Sequence, residues 1–494
     1  MTLPDAQETC PPALRAAAPA RGFTLSILGL TFAGLLLRLF CARGDLWLDE
    51  IWSEQNLEKI HSIGEIFWGI SQDNNHFLNS LWLWAVGPNA PPVLIRLASI
   101  VCGTLTIPVA ARLCGRAGPA AALAGAALVA GGAVFVHYGS EARGYAGLLL
   151  MIFIAAEAVE RFLESRPKRA ATPHRAAAHA SRWVFGAAVA IGALFHLTML
   201  TAAASLFIAA MIRLSIRKLS LRQQAHAALD LAIPAILGAA PALGFVLAGA
   251  LNTHKIQLGT QVPFSFEHLA TGLATLVEAT LGLPYALPPW ITLAIALGGI
   301  AFAAVVISRD QLVLPLTVML LPPIAAALVH APSVHIARFH LIAALGLVLL
   351  VSYCFTWLAA ARLHIGAAAL AIGLASGNAL HVSQLLIQGR GHYQNIVRYM
   401  ESKGPATYAS NMPAEVSRTV RFYDARLGGR LSPNPSPDWC KASPEWYILS
   451  DDPAGEVPQR IFGPLDCGAT YRQDMVEAPA PLSGLRWALY RRLP

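Results

Sequence analysis

Long apolar runs separated by short polar segments make up most of this chain. A helix of about twenty apolar residues crosses the hydrocarbon core of a bilayer. Runs of that length lie near 22–42, 93–113, 117–136, 144–164, 227–250, 290–308, 311–330, 339–360 and 365–386. The pattern predicts an α-helical polytopic membrane protein.

Residues 183–212 form one further apolar stretch, which is longer than a single span needs. The polar residues His196 and Thr198 interrupt it, and both of its ends are basic. We expect two shortened helices that meet near His196 at the outer face, which gives about eleven spans. One long tilted helix is the alternative.

Lys and Arg residues are distributed unequally between the two sets of loops. With the N-terminus inside, the inner segments hold sixteen of them, whereas the outer loops hold five, namely Arg43, Lys59, Arg143, Lys255 and Arg338. Basic loops stay in the cytoplasm. The sequence therefore predicts a cytoplasmic tail at 1–21, a membrane region at 22–387 with a first periplasmic loop at 43–92, and a periplasmic C-terminal segment. The membrane would be a bacterial inner membrane.

Residues 388–494 differ in character from the membrane region. They carry charged residues and prolines throughout, with β-leaning runs at 406–409 and 446–449 and a helical pattern at 393–400. We expect a small C-terminal α/β domain. Cys440 and Cys467 lie in it and could form a disulfide in an oxidising compartment; two free thiols are the alternative.

Composition agrees with a lipid-facing surface, since 55% of residues are hydrophobic and 13% are charged. The formal charge of +8 does not indicate a nucleic-acid partner, because the basic residues sit in short loops between spans, where they set topology. The seven cysteines show no metal-binding spacing.

The first outer loop collects acidic and aromatic residues. Five of the eleven tryptophans lie in it, at Trp47, Trp52, Trp68, Trp82 and Trp84. Interleaved Trp and polar residues favour helices lying in the membrane interface, which we expect near 52–70 and 76–86. The tryptophans would be interfacial anchors or, alternatively, platforms for sugar rings.

Asp49 and Glu50 follow the outer end of the first span. Carboxylates at that depth are costly to desolvate and are rare unless they are paired or functional. Asp49 is therefore a candidate catalytic residue. The alternative is that Asp49 is an N-cap and first-turn acid that starts the helix expected at 52–70.

Other outer loops supply further polar residues, including the segments 137–145 and 330–340 and the apex at His196. Arg338 lies at the start of the tenth span, at the lipid boundary. There its side chain would either snorkel towards the membrane surface or donate several hydrogen bonds to a lipid phosphate. Several polar loops on one face predict a shared pocket.

Three motifs in this order resemble those of the GT-C glycosyltransferases. They are the runs Gly44–Glu50, then Asn75–Leu78 before Arg96–Ser99, and Ser140–Tyr145. His196 after Phe195, and Arg338 before Phe339, also match. The resemblance covers roughly residues 22–360. It is closest to the family-39-like group, which includes protein O-mannosyltransferases, lipid A aminoarabinose transferases and lipopolysaccharide galacturonosyltransferases.

The resemblance implies roles for particular residues. Asp49 would be the general base, with Glu50 orienting it or the acceptor, and Arg338 would bind the carrier phosphate. The remaining substrate-binding residues would be Glu141, Arg143, Tyr145, His76 and His196. Phe77 and Leu78 stand where relatives have two prolines, which leaves the role of His76 open. Some relatives hold a divalent metal, but no cofactor is certain here and no ligand set is defined by spacing.

The implied activity is transfer of a sugar from a polyprenyl-phosphate donor to an envelope acceptor, a glycolipid, lipopolysaccharide or protein, by inverting single displacement on the periplasmic face. The alternative is a transporter or flippase of lipid-linked saccharides. Transporters place polar groups near the bilayer midplane, often in repeated halves, whereas the polar residues here gather at one face. Neither the sugar, the acceptor nor the oligomeric state follows from the sequence.

Overall fold

The computed structural model describes residues 21–165, 175–254, 261–434, 442–451, 457–458, 460–462 and 469–494. The α-helices in these residues are α1 Arg21–Cys41, α2 Leu48–Gln55, α3 Glu65–Trp68, α4 Phe77–Val86, α5 Pro92–Ile95, α6 Leu97–Cys114, α7 Pro119–Gly131, α8 Ala133–Tyr138, α9 Tyr145–Glu164, α10 Arg175–Phe195, α11 Met199–Ile216, α12 Leu221–Thr253, α13 Phe266–Leu281, α14 Pro289–Val306, α15 Arg309–Leu328, α16 Ile342–Ala360, α17 His364–Gln388, α18 Tyr393–Ser402 and α19 Pro413–Leu427. Short 3-10 helices lie at Gly115–Ala117 and Ala337–His340.

Eight described stretches are long and apolar enough to cross a membrane, and they contain α1, α6, α11, α12, α14, α15, α16 and α17. By this measure the chain is a multi-pass membrane protein. The other predicted spans correspond to α7 with α8, to α9 and to α10. Of these, α7 has only 13 residues, and α9 carries Glu157 and Glu160 near its end. The count of about eleven spans therefore stays a prediction.

The break predicted within residues 183–212 is confirmed. The helix α10 ends at Phe195 and α11 begins at Met199, so the alternative of one long helix is wrong. The end of α10 packs against the start of α9 so closely that a Cβ added at Gly144 would lie 1.9 Å from the Phe195 carbonyl oxygen. Glycine is therefore needed at position 144, and this contact fixes where His196 emerges.

The first outer loop departs from the prediction in one helix. The helix expected at 76–86 is confirmed by α4, but the one expected at 52–70 is wrong, since α2 ends at Gln55 and only the four-residue α3 follows. Hydrogen bonds between side chains and the backbone determine where α2 and α3 begin. The Glu50 carboxylate accepts a hydrogen bond from the Trp47 N–H at 3.2 Å and starts α2 early. Likewise, Glu65 accepts one from the His61 N–H at 3.1 Å before α3. The alternative for Asp49 is confirmed in part: the N-cap of α2 is Trp47 and not Asp49, but Asp49 is an acidic residue of the first helical turn.

The described part of the C-terminal segment contains a six-stranded mixed sheet of order β2-β1-β3-β6-β5-β4. Its strands are β1 Ala406–Ser410, β2 Leu431–Pro433, β3 Trp446–Asp451, β4 Arg460–Phe462, β5 Thr470–Glu477 and β6 Arg486–Arg492. Strand β1 runs parallel to β2 and β3, whereas β6 is antiparallel to β3 and β5. The predicted strands at 406–409 and 446–449 and the helix at 393–400 are confirmed. The domain boundary at 388 stays a prediction, and Cys440 and Cys467 lie outside the described residues.

One hydrophobic cluster joins the first outer loop to the C-terminal segment. Trp47 and Ile51 of the loop pack in the same buried cluster as Ile396 of α18, Val420 of α19 and Trp487 of β6. The helix α2 therefore rests on residues that lie more than three hundred positions later in the chain. This packing sets the position of the carboxylates described next.

Candidate active site

A cavity of about 510 Å³ opens between the first outer loop, the start of α9, the α10–α11 break and the segment before α16. Its polar wall includes six of the residues that the sequence analysis singled out or matched to a motif, namely Asp49, His76, Arg143, Tyr145, His196 and Arg338. Its apolar wall includes Leu197, Val246, Ile336 and Phe339. The volume is in the range of small-molecule sites.

Asp49 lies between two guanidinium groups. Its Oδ2 is 3.0 Å from Arg143 Nη1 and 3.4 Å from Arg338 Nη2. The carboxylate side chain is 13% exposed and that of Arg338 is 17% exposed, so both groups remain open to the cavity. The residue at the end of the first span and the residue before the tenth predicted span therefore meet in one place.

Asn74 connects these groups to the backbone. Its side-chain amide donates to the Asp49 carbonyl oxygen at 3.0 Å and to Ser53 Oγ at 2.9 Å, and its oxygen accepts a hydrogen bond from Arg143 Nη1. The Arg143 guanidinium also donates to the Tyr145 hydroxyl at 3.2 Å. Arg143 therefore contacts Asp49, Asn74 and Tyr145, whereas the one ion pair of Arg338 among the described residues is its longer contact with Asp49.

Two imidazoles and a phenol form an aromatic wall. The rings of His76 and His196 are stacked at 4.9 Å, and the Tyr145 ring lies 5.0 Å from that of His196. The Nε2 atom of the buried His76 has no hydrogen-bond partner in the described part of the chain. A flat face with one free polar atom suits a sugar ring, which offers both C–H and hydroxyl groups.

Burial, followed by the nearby Arg143 and Arg338 guanidiniums, lowers the pKa of His196 to about 3. Burial, followed by Arg143, also holds the pKa of His76 well below its ordinary value. Both imidazoles are therefore neutral at pH 7 and contribute hydrogen bonds and ring contacts, while the positive charge of the cavity comes from the two arginines.

Glu50 does not line the cavity, although it is adjacent to Asp49. Successive helical residues point about 100° apart, and Glu50 turns inward to Arg96. Its Oε1 accepts from Arg96 Nε at 2.8 Å and from the Ala142 N–H at 2.7 Å, and its Oε2 accepts from Arg96 Nη2 at 2.6 Å. Glu50 is fully enclosed, so the structure does not bring it to the cavity, and its expected role of orienting Asp49 or the acceptor stays a prediction.

Glu141 also lies outside the cavity. It is fully buried, 3.5 Å from Arg390 Nε and 3.4 Å from His137 Nε2, and its Oε2 accepts from Ser483 Oγ at 2.7 Å. The Arg390 guanidinium in turn donates to the His137 carbonyl oxygen at 2.6 Å. The structure therefore does not bring Glu141 to the cavity. Through these contacts, Glu141 instead holds the loop that carries Arg143.

Three residues that organise the site were not predicted from the sequence, namely Arg96, Asn74 and Arg390. Arg96 was noticed only as part of a motif, and Asn74 stands beside the quoted run Asn75–Leu78. For Arg390, the only sequence signal is its place between Gly389 and Gly391, both of which have positive φ. The C-terminal segment adds Met412 and Glu415 to the cavity wall, which no pattern indicated.

The tryptophans of the first outer loop differ in exposure, and their role as interfacial anchors or sugar platforms stays a prediction. Trp68 and Trp84 are 43% and 37% exposed, as interfacial anchors would be. Trp52 lines the cavity, and Trp47 is buried beneath Arg338, whose guanidinium carbon lies 5.8 Å from the Trp47 ring centroid.

The donor set around Asp49 does not fit a divalent metal. Within the described ranges, no group of three or more His, Cys, Asp or Glu side chains is placed to hold an ion. The nearest charged neighbours of Asp49 are the two arginines, which repel cations and attract anions. The site is therefore built to hold an anion beside a carboxylate.

No family model matches the chain, and no curated protein matches it. Among solved structures, the chain is similar to the apo oligosaccharyltransferase of Archaeoglobus fulgidus, with 10% identity and a TM-score of 0.46 over 84% of this chain and 64% of that one. It is also similar to ArnT from Cupriavidus metallidurans, both apo and bound to undecaprenyl phosphate. Identity is 12% in both cases, with TM-scores of 0.38 and 0.32, over 95% of this chain and 97% and 98% of theirs. The chain spans about two thirds of the archaeal protein's length, and similarity at these TM-scores carries no argument about activity.

Proposed function

We propose that this membrane protein transfers a sugar from a polyprenyl-phosphate carrier to an acceptor in the cell envelope, on the periplasmic face of the inner membrane. The single observation that carries the proposal is the pairing of the Asp49 carboxylate with the Arg143 and Arg338 guanidiniums in one cavity. A carboxylate can accept a proton while an arginine binds a phosphate, and this reaction needs both.

The two arginines differ in a way that assigns their roles. Arg143 is held by Asn74 and Tyr145, and it keeps Asp49 in position. Arg338 makes the longer contact with Asp49, and its guanidinium lies over the ring of Phe339 in the apolar wall. We therefore assign to Arg338 the binding of the lipid phosphate. Leu197, Val246 and Phe339 then accept the first isoprene units of the carrier.

The reaction follows from this placement. The acceptor hydroxyl oxygen attacks the anomeric carbon of the sugar, and Asp49 takes the hydroxyl proton. The bond between the anomeric carbon and the phosphate oxygen breaks, and its electron pair leaves with the polyprenyl phosphate. Arg338 stabilises the charge that develops on that oxygen. Because attack and departure occur on opposite faces, the anomeric configuration inverts.

The other predicted residues support this centre. His76, His196 and Tyr145 form the wall against which the sugar ring lies. Glu50 and Glu141 are positioning residues: Glu50 holds α2 through Arg96, and Glu141 holds the loop before α9 through Arg390. Neither touches the substrate in this scheme.

The test compares sugar-bearing lipids and glycans of the envelope by mass spectrometry. Four strains are compared: one lacks the gene, and the others carry the wild-type gene, the Asp49→Asn variant or the Glu58→Gln variant. Glu58→Gln is the control, because Glu58 is an exposed residue of the same loop and lies outside the cavity. We expect one sugar-modified species to be missing without the gene and reduced about a hundredfold or more by Asp49→Asn, since the base is lost. Glu58→Gln should leave it unchanged.

Identical glycan profiles with and without the gene would sink the proposal. A carrier-linked sugar that accumulates in the strain without the gene, but not in the Asp49→Asn strain, would instead indicate that the protein transports that carrier.

A further inference from the structure

An unusual row of arginines crosses the C-terminal sheet. Arg472 of β5 is directly opposite Arg491 of β6, and Arg460 of β4 is directly opposite Arg472. Directly opposed residues of antiparallel strands project on the same face, and like charges in such pairs destabilise a sheet. The opposed Arg472 and Arg491 side chains therefore carry a cost that a bound anion would remove.

The row continues into an aromatic residue that orients one of these arginines. Trp446 of β3 is the next residue across from Arg491, and the Arg491 guanidinium carbon lies 5.5 Å from the Trp446 ring centroid. Trp446 is fully buried, whereas Arg491 and Arg472 are exposed. A planar guanidinium resting on an indole keeps its N–H groups free for an anion.

A groove of about 700 Å³ lies at the end of this row. Arg430, Arg491 and Arg492 line it together with one acidic residue, Glu445. The Arg430 side chain is 58% exposed, and its nearest carboxylate, that of Glu401, is 3.9 Å away. Arg492 donates to the Ser443 carbonyl oxygen at 3.1 Å. Positive charge is thus concentrated on one surface and only partly balanced.

We propose that Arg430, Arg472 and Arg491 form an anion-binding surface for phosphate groups, carried by a phospholipid headgroup or by a phosphorylated saccharide. Neighbouring strands lie about 5 Å apart, so arginines on different strands can each bind a separate phosphate, and the surface fits several phosphates better than a single one. This binding is separate from the cavity around Asp49 and does not depend on the proposed reaction.

The test uses the full chain reconstituted in phosphatidylcholine nanodiscs, with inorganic tripolyphosphate as the soluble probe. We expect calorimetric binding that weakens about tenfold or more in the Arg472→Gln/Arg491→Gln double variant. The matched control is Arg398→Gln/Arg421→Gln, two exposed arginines of the same segment outside the groove. It should retain wild-type affinity.

Thermal unfolding separates binding from folding. The double variant should melt no lower than wild type, because it removes a like-charge opposition. Tripolyphosphate should raise the melting temperature of wild type and not that of the double variant.

Native mass spectrometry in detergent distinguishes the sources of phosphate. Retention of phosphatidylglycerol over phosphatidylcholine, lost in the double variant, would indicate a headgroup, whereas binding of tripolyphosphate alone would indicate a phosphorylated saccharide. The proposal is overturned if wild type binds neither probe, or if the control pair loses as much affinity as the double variant.

Discussion

Asp49 and Glu50 are neighbours in the chain, yet they belong to two differently built regions. Asp49 faces an open cavity in which Nε of Arg338 and Nε2 of His76 have no hydrogen-bond partner within the ranges that the structure describes. Glu50 lies in a sealed region where each carboxylate oxygen accepts two hydrogen bonds. The difference shows that a charge whose hydrogen bonds are all satisfied inside the protein holds structure, whereas one left partly open is available for a ligand.

The largest effect that would sharpen this comparison is on stability. Glu50→Gln removes the anionic partner of the fully buried Arg96, and breaking a buried ion pair costs about 3–5 kcal/mol. We expect the free energy of unfolding, measured with denaturant in mixed micelles, to fall by that amount. Glu58→Gln should change it by less than about 0.5 kcal/mol. Equal free energies of unfolding for Glu50→Gln and Glu58→Gln would contradict the structural role that we assign to Glu50.

A smaller effect is expected at Arg338, on substrate binding instead of stability. Arg338→Lys keeps the charge but loses the planar fork of donors, so the KM for the carrier-linked sugar should rise about tenfold with little change in melting temperature. Inhibition by free polyprenyl phosphate should weaken in parallel. The control is Arg43→Lys, an exposed arginine at the end of the first span. A fall in stability without any change in KM would place Arg338 with the structural residues.

The remaining effect concerns Glu54, which belongs to α2 and faces Arg426 of α19. Burial raises the pKa of Glu54 to about 7, against the opposing pull of Arg426 at 3.6 Å. The folded state therefore binds more protons than the unfolded state between the ordinary value of 4.5 and about 7. Stability must fall as pH rises through that window and stay lower above it.

Thermal melts from pH 4.5 to 8.5 should show this loss, on the order of 1–3 kcal/mol, in wild type. The loss should shrink in Glu54→Gln, which is neutral throughout. A wild-type curve parallel to that of Glu54→Gln would mean that Glu54 is ionised at the α2–α19 interface.

The sequence predicted those features that depend on local pattern. The apolar runs located the helices, the Phe195–Thr198 segment gave the break between α10 and α11, and the runs at 406 and 446 gave β1 and β3. Asp49 and Arg338 were each picked out by their depth at the membrane boundary. No local pattern links Asp49 to Arg338. That they meet in one cavity could be predicted only from the resemblance, which relates the motifs that contain them.

The features that the sequence did not predict depend on distant partners. Glu50 was grouped with Asp49 because its partner Arg96 is 46 positions away, and Glu141 was placed at the substrate because its partner Arg390 is 249 positions away. The short α2 was missed because its start is set by a carboxylate within the helix. The helix α13 was missed for a different reason, since it has only 16 residues and includes Glu267 and Glu278.

The shared hydrophobic cluster has a consequence for biosynthesis. Trp47 and Ile51 emerge from the ribosome early, but they are covered only when Val420 and Trp487 have been made and folded. The helix that carries Asp49 therefore reaches its final position only after β6 has been made. A nascent chain that ends before β6 would thus lack the packing that positions Asp49.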